Sequence, residues 1–363
     1  MSSEPLKQPH GPVLLDRIVK SECQRVGVLG LHAHAGTRTV LASLIRELHR
    51  RQWPFAVTSA PRTPLDDETE AEATTRLAVA AGTVLATARS PEQEGEAGLE
   101  LIEMTDLETS RGPVGIYRVL QGGEVDVHGP EDPEAMEVLL KRLGTVSGGL
   151  VFVDGSWERR AFAAPGVTDG LVLALASGLS ATPERSAAAV RFLVEMFTVD
   201  PCDEAARVAW EDTASGGAAV LLDGRGRPLG LLPPGLADPV PALRGPDGTP
   251  VATVVLPHGL NDEFMVSMVR SQFRCQLVVR DATRINIAPI YFKAWFKGGG
   301  KIRVVRRTHV VAVATNPLNH SGPDADPPKF RQSVAEALPG LPVHDVVLET
   351  GEEPRKPIWK FWE

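Results

Sequence analysis

Short apolar runs alternate along the chain with segments of helical periodicity. Runs of four to seven apolar residues suit buried strands, and the stretches between them repeat apolar residues every three to four positions. This order predicts βαβ units around a mainly parallel sheet. In the first half, the predicted strands are 25–31, 55–59, 149–154 and 170–176, and the predicted helices are 40–51, 68–81, 133–143 and 183–198.

A second α/β series follows in the later part of the chain. Near residue 213 the residues become small and polar. This change predicts a boundary between a domain over 1–212 and a smaller α/β domain over 213–350. Segments 99–105, 114–120 and 124–127 form a hairpin-like insert, expected at one edge of the first sheet. The second series comprises predicted strands 218–222, 251–256, 276–280, 303–306, 310–314 and 343–348, and predicted helices 262–272 and 328–338. The predicted fold class is α/β.

Composition narrows the class of protein. The 363 residues suggest about two domains. A net charge of −8 argues against a nucleic-acid scaffold, and no apolar stretch approaches the roughly 18 residues of a membrane span. The three cysteines are far apart and odd in number, as expected in a reducing compartment. We expect a cytoplasmic protein that binds neither nucleic acid nor membrane.

The segment "VGVLGLHAHAGTRT", residues 26–39, has the strand–loop–helix context of a phosphate-binding P-loop. Against the pattern G-x-x-x-x-G-K-[ST], Gly36 stands at the second glycine, Gly30 comes one residue early, and Thr37 replaces the lysine. Loop N–H groups and a helix N-terminus still suit phosphate, although an ordinary strand-to-helix turn remains the alternative. The predicted nucleotide-binding residues are Gly30, Ala35, Gly36, Thr37, Arg38 and Thr39.

A second segment, "GGLVFVDGSWERR" at 148–160, is a buried-strand run that ends in Asp154. This form is typical of the strand whose carboxylate contacts Mg²⁺ in nucleotide-binding sites. The alternative is a capping aspartate in a glycine turn. Both motifs lie at the carboxyl ends of predicted parallel strands, which is where α/β sheets bind ligands. We therefore predict that the domain over 1–212 is a P-loop-like nucleotide-binding domain of mainly parallel sheet and helices, with a degenerate phosphate loop. Its predicted ligand is ATP or GTP with Mg²⁺, with Asp154 and Thr39 holding the metal.

Three other candidate sites have weaker support from the sequence. His32 and His34 form an H-x-H pair that suits a metal, but no cysteine or carboxylate cluster is near, which favours solvated loop histidines. The acidic residues 66–68 suit a helix N-terminus, with a Mg²⁺–water shell as the alternative. The stretch from Lys297 to Lys301 resembles a phosphate cradle, but its place between apolar segments favours a flexible turn.

The chain ends in an aromatic tail, residues 351–363. Trp359, Phe361 and Trp362 fall within its last seven positions. Such a density of aromatic residues predicts docking, either on the chain's own second domain or on a partner subunit.

Several segments together resemble one family. They are "LLDRIV", "AGTRT", "TSAP", "VDGSWERRAFAAPGVTDGLVLALASG" and "VAVATNPLNHSGP". They resemble the B subunit of the reactivase for lysine 5,6-aminomutase, a lysine-fermentation enzyme that uses adenosylcobalamin and pyridoxal phosphate. The family's loop reads close to G-M-x-K-N-A-G-K-T-T. The loop residues that match are Gly30, Ala35, Gly36 and Thr39, and those that depart are Leu31, Ala33, His34, Thr37 and Arg38.

The resemblance implies a subunit of a nucleotide-dependent chaperone that exchanges damaged cobalamin from the aminomutase. Its implied partners are the aminomutase and a MutS-like ATPase subunit, which would supply the hydrolysis because Thr37 stands where the lysine is expected. No D-x-H-x-x-G pattern occurs, so no direct cobalamin ligand is assigned, and no catalytic residue is assigned. Two alternatives stay open: an atypical P-loop kinase or GTPase acting on a small molecule or in metal or cofactor insertion, and a structural subunit with a relic loop.

Overall fold

The computed structural model describes residues 13–61, 75–88, 97–180, 182–213, 217–234, 239–319 and 322–350. The aromatic tail, the acidic residues 66–68 and the first part of the predicted helix 68–81 lie outside these ranges. Within the described ranges, no helix combines the length and apolar character needed to cross a membrane.

The described residues form the following strands: β1 (Arg25–Gly30), β2 (Phe55–Ser59), β3 (Thr75–Val79), β4 (Val84–Ala88), β5 (Gly98–Thr109), β6 (Gly112–Gln121), β7 (Gly123–Val127), β8 (Leu150–Gly155), β9 (Gly170–Ala176), β10 (Ala219–Leu222), β11 (Pro228–Leu232), β12 (Thr253–Val255), β13 (Leu260–Asn261), β14 (Gln276–Val279), β15 (Ile285–Asn286), β16 (Lys301–Val304), β17 (Val310–Asn316) and β18 (Val343–Asp345). The α-helices are α1 (Leu14–Lys20), α2 (Thr37–Arg50), α3 (Pro133–Ser147), α4 (Pro183–Phe197), α5 (Glu204–Thr213), α6 (Asp262–Arg270), α7 (Pro289–Lys297), α8 (Pro327–Ala337) and α9 (Val346–Thr350).

The largest sheet has the strand order β18-β17-β9-β1-β8-β2-β4-β6-β5. The strands from β18 to β4 run parallel, and β6 and β5 add an antiparallel hairpin at one edge. The α/β class is therefore confirmed, and the hairpin-like insert lies at a sheet edge as expected. A second sheet has the order β11-β10-β12-β14-β16.

The chain divides into two compact units. One unit contains the chain up to Arg191 and again from Val310, and the other is Phe192–His309. This division differs from the boundary predicted near residue 213. Helix α5 belongs to the second unit because Ala206 and Ala209 pack with the buried side chains of β10. The chain returns to the first unit because the apolar strand β17 pairs with β9.

Helices cover both faces of the large sheet. Helices α1 and α2 pack on one face, in a core that includes Phe152 and Val172. Helix α3 covers the other face with Met136, Leu139, Leu140 and Leu143. Their spacing of three, one and three positions places these residues on one side of a helix. Strand β8 therefore packs against α2 on one face and α3 on the other.

The predicted helix 68–81 is wrong for its last part, because Thr75–Val79 form strand β3. Leu77 and Val79 are buried whereas Arg76 is exposed, which is the alternation of a strand. β3 pairs antiparallel with β7. The apolar residues of this segment suit either a helix or a strand, and pairing with β7 selects the strand.

Candidate functional site

The loop after β1 turns into α2 through two left-handed positions, His34 and Gly36. Gly36 has a φ of 87°, in the left-handed region, and caps the N-terminus of α2. A Cβ built on Gly36 would lie 2.5 Å from the Asn316 side-chain nitrogen. Ala35 is buried beside it. The loop backbone at Gly36 is therefore fixed by both its conformation and its contact with β17.

Asn316 ends β17 at the carboxyl edge of the sheet and is buried. Its Oδ1 accepts a hydrogen bond from the Leu318 backbone N–H at 3.1 Å. Because the Asn316 oxygen accepts this hydrogen bond, the Asn316 amide nitrogen is the atom that faces Gly36. Sequence reasoning did not assign Asn316 to the site. The available signal was its position: the Asn-Pro pair follows an apolar strand and marks the end of a strand at the ligand-binding edge.

Asp154 lies on the strand next to the loop strand. In the parallel register of β1 and β8, Val28 is opposite Asp154. The side chain is only 6% exposed, and its Oδ1 has no hydrogen-bond partner among the described residues. Burial raises the pKa of this carboxyl, while the Thr37 and Thr75 hydroxyls, the Arg38 charge and the Gly155 N–H act in the opposite direction.

The neighbouring strand β2 supports Asp154 from the other side. Ser59 is opposite Asp154 in the parallel pairing of β2 and β8. The Ala60 N–H donates to the Asp154 carbonyl at 2.8 Å. The Ser59 Oγ lies 2.7 Å from the Thr75 Oγ1, which links Thr75 to this edge of the sheet. Sequence reasoning missed Thr75 because its segment was assigned to a helix.

Of the predicted loop residues, Thr37 and Arg38 are the ones brought near the Asp154 carboxylate. Thr39 follows Thr37 by two positions in α2, which is about 200° around the helix axis, and the structure does not record it among the groups acting on Asp154. Among the predicted loop residues, the hydroxyl beside the carboxylate is therefore that of Thr37, and the role of Thr39 stays a prediction. Gly30 closes β1, where a Cβ would lie 3.0 Å from the Thr37 methyl.

The two loop histidines have different surroundings. His32 is half-buried, and its Nε2 accepts a hydrogen bond from the Ala176 N–H at 3.2 Å. Burial lowers the pKa of His32, so its neutral form is favoured. His32 is therefore part of the packed loop rather than a solvated residue, whereas His34 is exposed. Within the described ranges, no group of three His, Cys, Asp or Glu residues suits a metal.

The arrangement joins two complementary binding features at one edge of the sheet. The N-terminus of α2 offers backbone N–H groups and a positive dipole end to an anion. The buried Asp154 offers an unpartnered carboxylate oxygen to a cation. An anion and a hard cation that bind together are the components of a metal–phosphate ligand.

The chain matches no family model, no curated protein and no solved structure.

Proposed function

We propose that this protein is the nucleotide-binding subunit of a reactivase that exchanges damaged cobalamin from lysine 5,6-aminomutase. In this proposal, the first unit is a P-loop-like domain with a degenerate phosphate loop. The main support for nucleotide binding is the buried carboxylate of Asp154. Its Oδ1 has no hydrogen-bond partner among the described residues, and the carboxylate lies beside Thr37 at the start of α2.

A bound cation would explain why the Asp154 carboxylate is buried with one oxygen unpartnered. A buried carboxylate oxygen without a partner is costly, and the Thr37 and Thr75 hydroxyls, the Gly155 N–H and the Arg38 charge offset the burial of Asp154 only in part. Carboxylate and hydroxyl oxygens are ligands that Mg²⁺ accepts. Asp154 and Thr37 therefore fit as the groups that would hold Mg²⁺, directly or through water. When bound, the ion would neutralise phosphate charge.

The strand order supports the position of the nucleotide. β8 carries Asp154 and lies directly beside β1, while β9 and β17 continue the parallel sheet on the other side of β1. Ligands of open α/β sheets bind at the carboxyl ends of the strands. The Gly36 loop, Asp154 and Asn316 all stand at that edge, so phosphate bound at α2 would have Asp154 on one side and the end of β17 on the other.

The reactivase part of the proposal rests on the sequence motifs from Asp154 to Pro165 and on the segments listed with them. A chaperone of this kind would bind the inactivated aminomutase and shift it to a state that is open to cofactor exchange. For nucleotide to drive that shift, it must bind two states of the complex with different affinities. A loop that binds nucleotide without turning it over suits such a subunit.

The nucleotide part is tested by titrating the purified full-length chain with fluorescent ATP and GTP analogues, with and without Mg²⁺. We expect Mg²⁺-dependent binding that Asp154→Asn weakens at least about tenfold, because a neutral amide no longer offers a charged oxygen to the metal. Asp247→Asn is the matched control: Asp247 is exposed and has a φ of 57°, which asparagine also tolerates. Binding that is equal in the wild type and Asp154→Asn would contradict the assignment.

The reactivase part is tested by affinity purification from the native host. We expect an aminomutase and a MutS-like ATPase to be recovered together with the chain. Recovery of neither would contradict the reactivase role while leaving the nucleotide site intact, so the two parts of the proposal fail separately.

A further inference from the structure

The second unit contains a strongly basic segment within an acidic protein. Residues 262–309 carry ten lysine or arginine residues and only three aspartate or glutamate residues, whereas the whole chain has a net charge of −8. Residues 192–261 of the same unit carry nine aspartate or glutamate residues and four arginines, so the positive charge of the unit is concentrated in 262–309. It attracts anionic partners where that segment is exposed. The nucleotide site uses none of these residues.

Helix α7 presents part of this charge on its exposed side, together with apolar side chains. Ile290 is 69% exposed and Phe296 is 38% exposed. Lys293 and Lys297 are exposed on the same side, since positions three, four and seven residues apart share a helix face. The opposite side of the helix is anchored by the buried Trp295. We call the exposed Ile290, Lys293, Phe296 and Lys297 the α7 face.

A groove of about 410 Å³ adjoins the α7 face. Phe292 and Phe296 form its apolar wall, with ring centroids 4.7 Å apart. Phe292 is held in place by an edge-on contact with Phe192 at 5.4 Å. The wall is therefore preformed, and the groove is large enough to admit an aromatic side chain.

Three exposed lysines lie on or just after α7: Lys293 lines the groove, Lys297 is the last residue of α7, and Lys301 is the first residue of β16. Lys293, Lys297 and Lys301 form no ion pair with any residue of the described ranges, and all three are exposed. Arg303 differs, because it pairs with Asp200 at 3.2 Å inside the groove. On α7 and at the start of β16, the positive charge that is available to a partner therefore lies on the three lysines.

We propose that the α7 face and its groove bind an acidic segment of a partner protein. One apolar or aromatic side chain of that segment would enter the groove against Phe292 and Phe296, and flanking carboxylates would meet Lys293, Lys297 and Lys301. This inference does not depend on the nucleotide site.

The groove itself favours a peptide over a nucleic acid. Glu195 and Asp200 contribute to its lining. A nucleic acid carries charge at every phosphate, so a strand that crosses the groove would place phosphates near these carboxylates. A peptide avoids this repulsion, because it can place an uncharged residue at the groove and its acidic residues beside the lysines. The combination of an apolar anchor and a charged rim is also the usual anatomy of a protein interface.

The test uses the full-length chain and two fluorescein-labelled Glu-rich peptides that differ only at one central residue, Phe or Ser. Fluorescence anisotropy should show that the Phe peptide binds several-fold more tightly and that added salt weakens both peptides. Phe296→Ala should abolish the difference between the peptides. Lys293→Glu/Lys297→Glu should weaken both at least about tenfold. The matched control is Lys329→Glu/Arg331→Glu, an equal charge reversal on the exposed side of α8, which should leave binding unchanged.

Three outcomes would overturn the inference. The first is equal loss of binding in the α7 and α8 charge-reversal variants, which would mean that only net charge matters. The second is equal binding of the two peptides. The third is tighter binding of single-stranded DNA or phosphatidylserine vesicles that depends on the same lysines. All the substituted side chains are exposed, so unchanged melting temperatures should confirm that the variants fold.

Discussion

At the scale of single residues, Asp154 lowers the stability of the fold by its burial, and the same residue is proposed to bind the metal. Its carboxyl is buried, and burial raises its pKa, while Thr37, Thr75 and Arg38 favour the charged form only in part. A raised pKa in the folded state means that folding prefers the protonated carboxyl. The associated stability is present below the unfolded-state pKa of about 3.9, and it is lost as the pH rises through the raised folded-state value.

Asp154→Asn should therefore stabilise the chain without ligand at neutral pH. We expect a gain of about 1 kcal/mol, because the substitution removes a buried charge that has an unpartnered oxygen. The gain should grow as the pH rises through the raised pKa of Asp154. Denaturant unfolding of wild type and variant across pH 4 to 8 measures it, and a variant that is less stable than wild type at neutral pH would contradict the expectation.

Gly36 gives a second prediction at this scale. Gly36→Ala should destabilise the chain by about 2 kcal/mol, because a left-handed backbone costs about 1 kcal/mol for alanine and the new Cβ would crowd Asn316. The control is Gly82→Ala, where φ is 91° but no atom lies within 4 Å of a Cβ. Thermal unfolding should show a smaller loss for Gly82→Ala. Equal losses would mean that the contact with Asn316 adds nothing.

At the scale of elements, the sequence predicted secondary structure correctly where the local apolar pattern and the pairing in the folded chain favour the same element. The strand–loop–helix around Gly36 and the strand ending in Asp154 were predictable, since each is a continuous apolar run followed by small residues. Strand β3 was not, because its assignment depends on pairing with the distant β7. The same limit applied to two site residues. Asn316 reaches the site through the order of strands in the large sheet, and Thr75 reaches it from β3, outside that sheet, through its contact with Ser59.

Helix α3 gives a prediction that belongs to this scale. The Asp132 side chain accepts a hydrogen bond from the Ala135 N–H at 2.9 Å, and Pro133 occupies the first helical position. Asp132→Ala should cost about 1 kcal/mol, the usual loss for a helix cap, and Asp132→Ser should recover most of it. Denaturant unfolding of the two variants measures this. An alanine variant as stable as the serine variant would show that the cap contributes nothing.

At the scale of the whole molecule, the two binding surfaces lie in different units. The Gly36 loop, Asp154 and Asn316 belong to the unit built on the large sheet, and the α7 face belongs to Phe192–His309. Each unit has a buried core of its own. If both proposals hold, a variant of the α7 face should alter partner binding while nucleotide affinity stays unchanged, which makes the two proposed functions separable by mutation.

The last prediction concerns the activity of the chain on its own. Phosphoryl transfer needs a positive charge on the β/γ-phosphates, and the residue at that place is Thr37. Arg38 is the nearby cation recorded at Asp154, but its planar guanidinium does not replace a lysine ammonium. We expect the purified chain to hydrolyse ATP and GTP at no more than background rate, measured by phosphate release with Asp154→Asn as the blank. Turnover above background that Asp154→Asn abolishes would instead support a P-loop kinase or GTPase, because the Asp154 edge would then be catalytic without a partner ATPase.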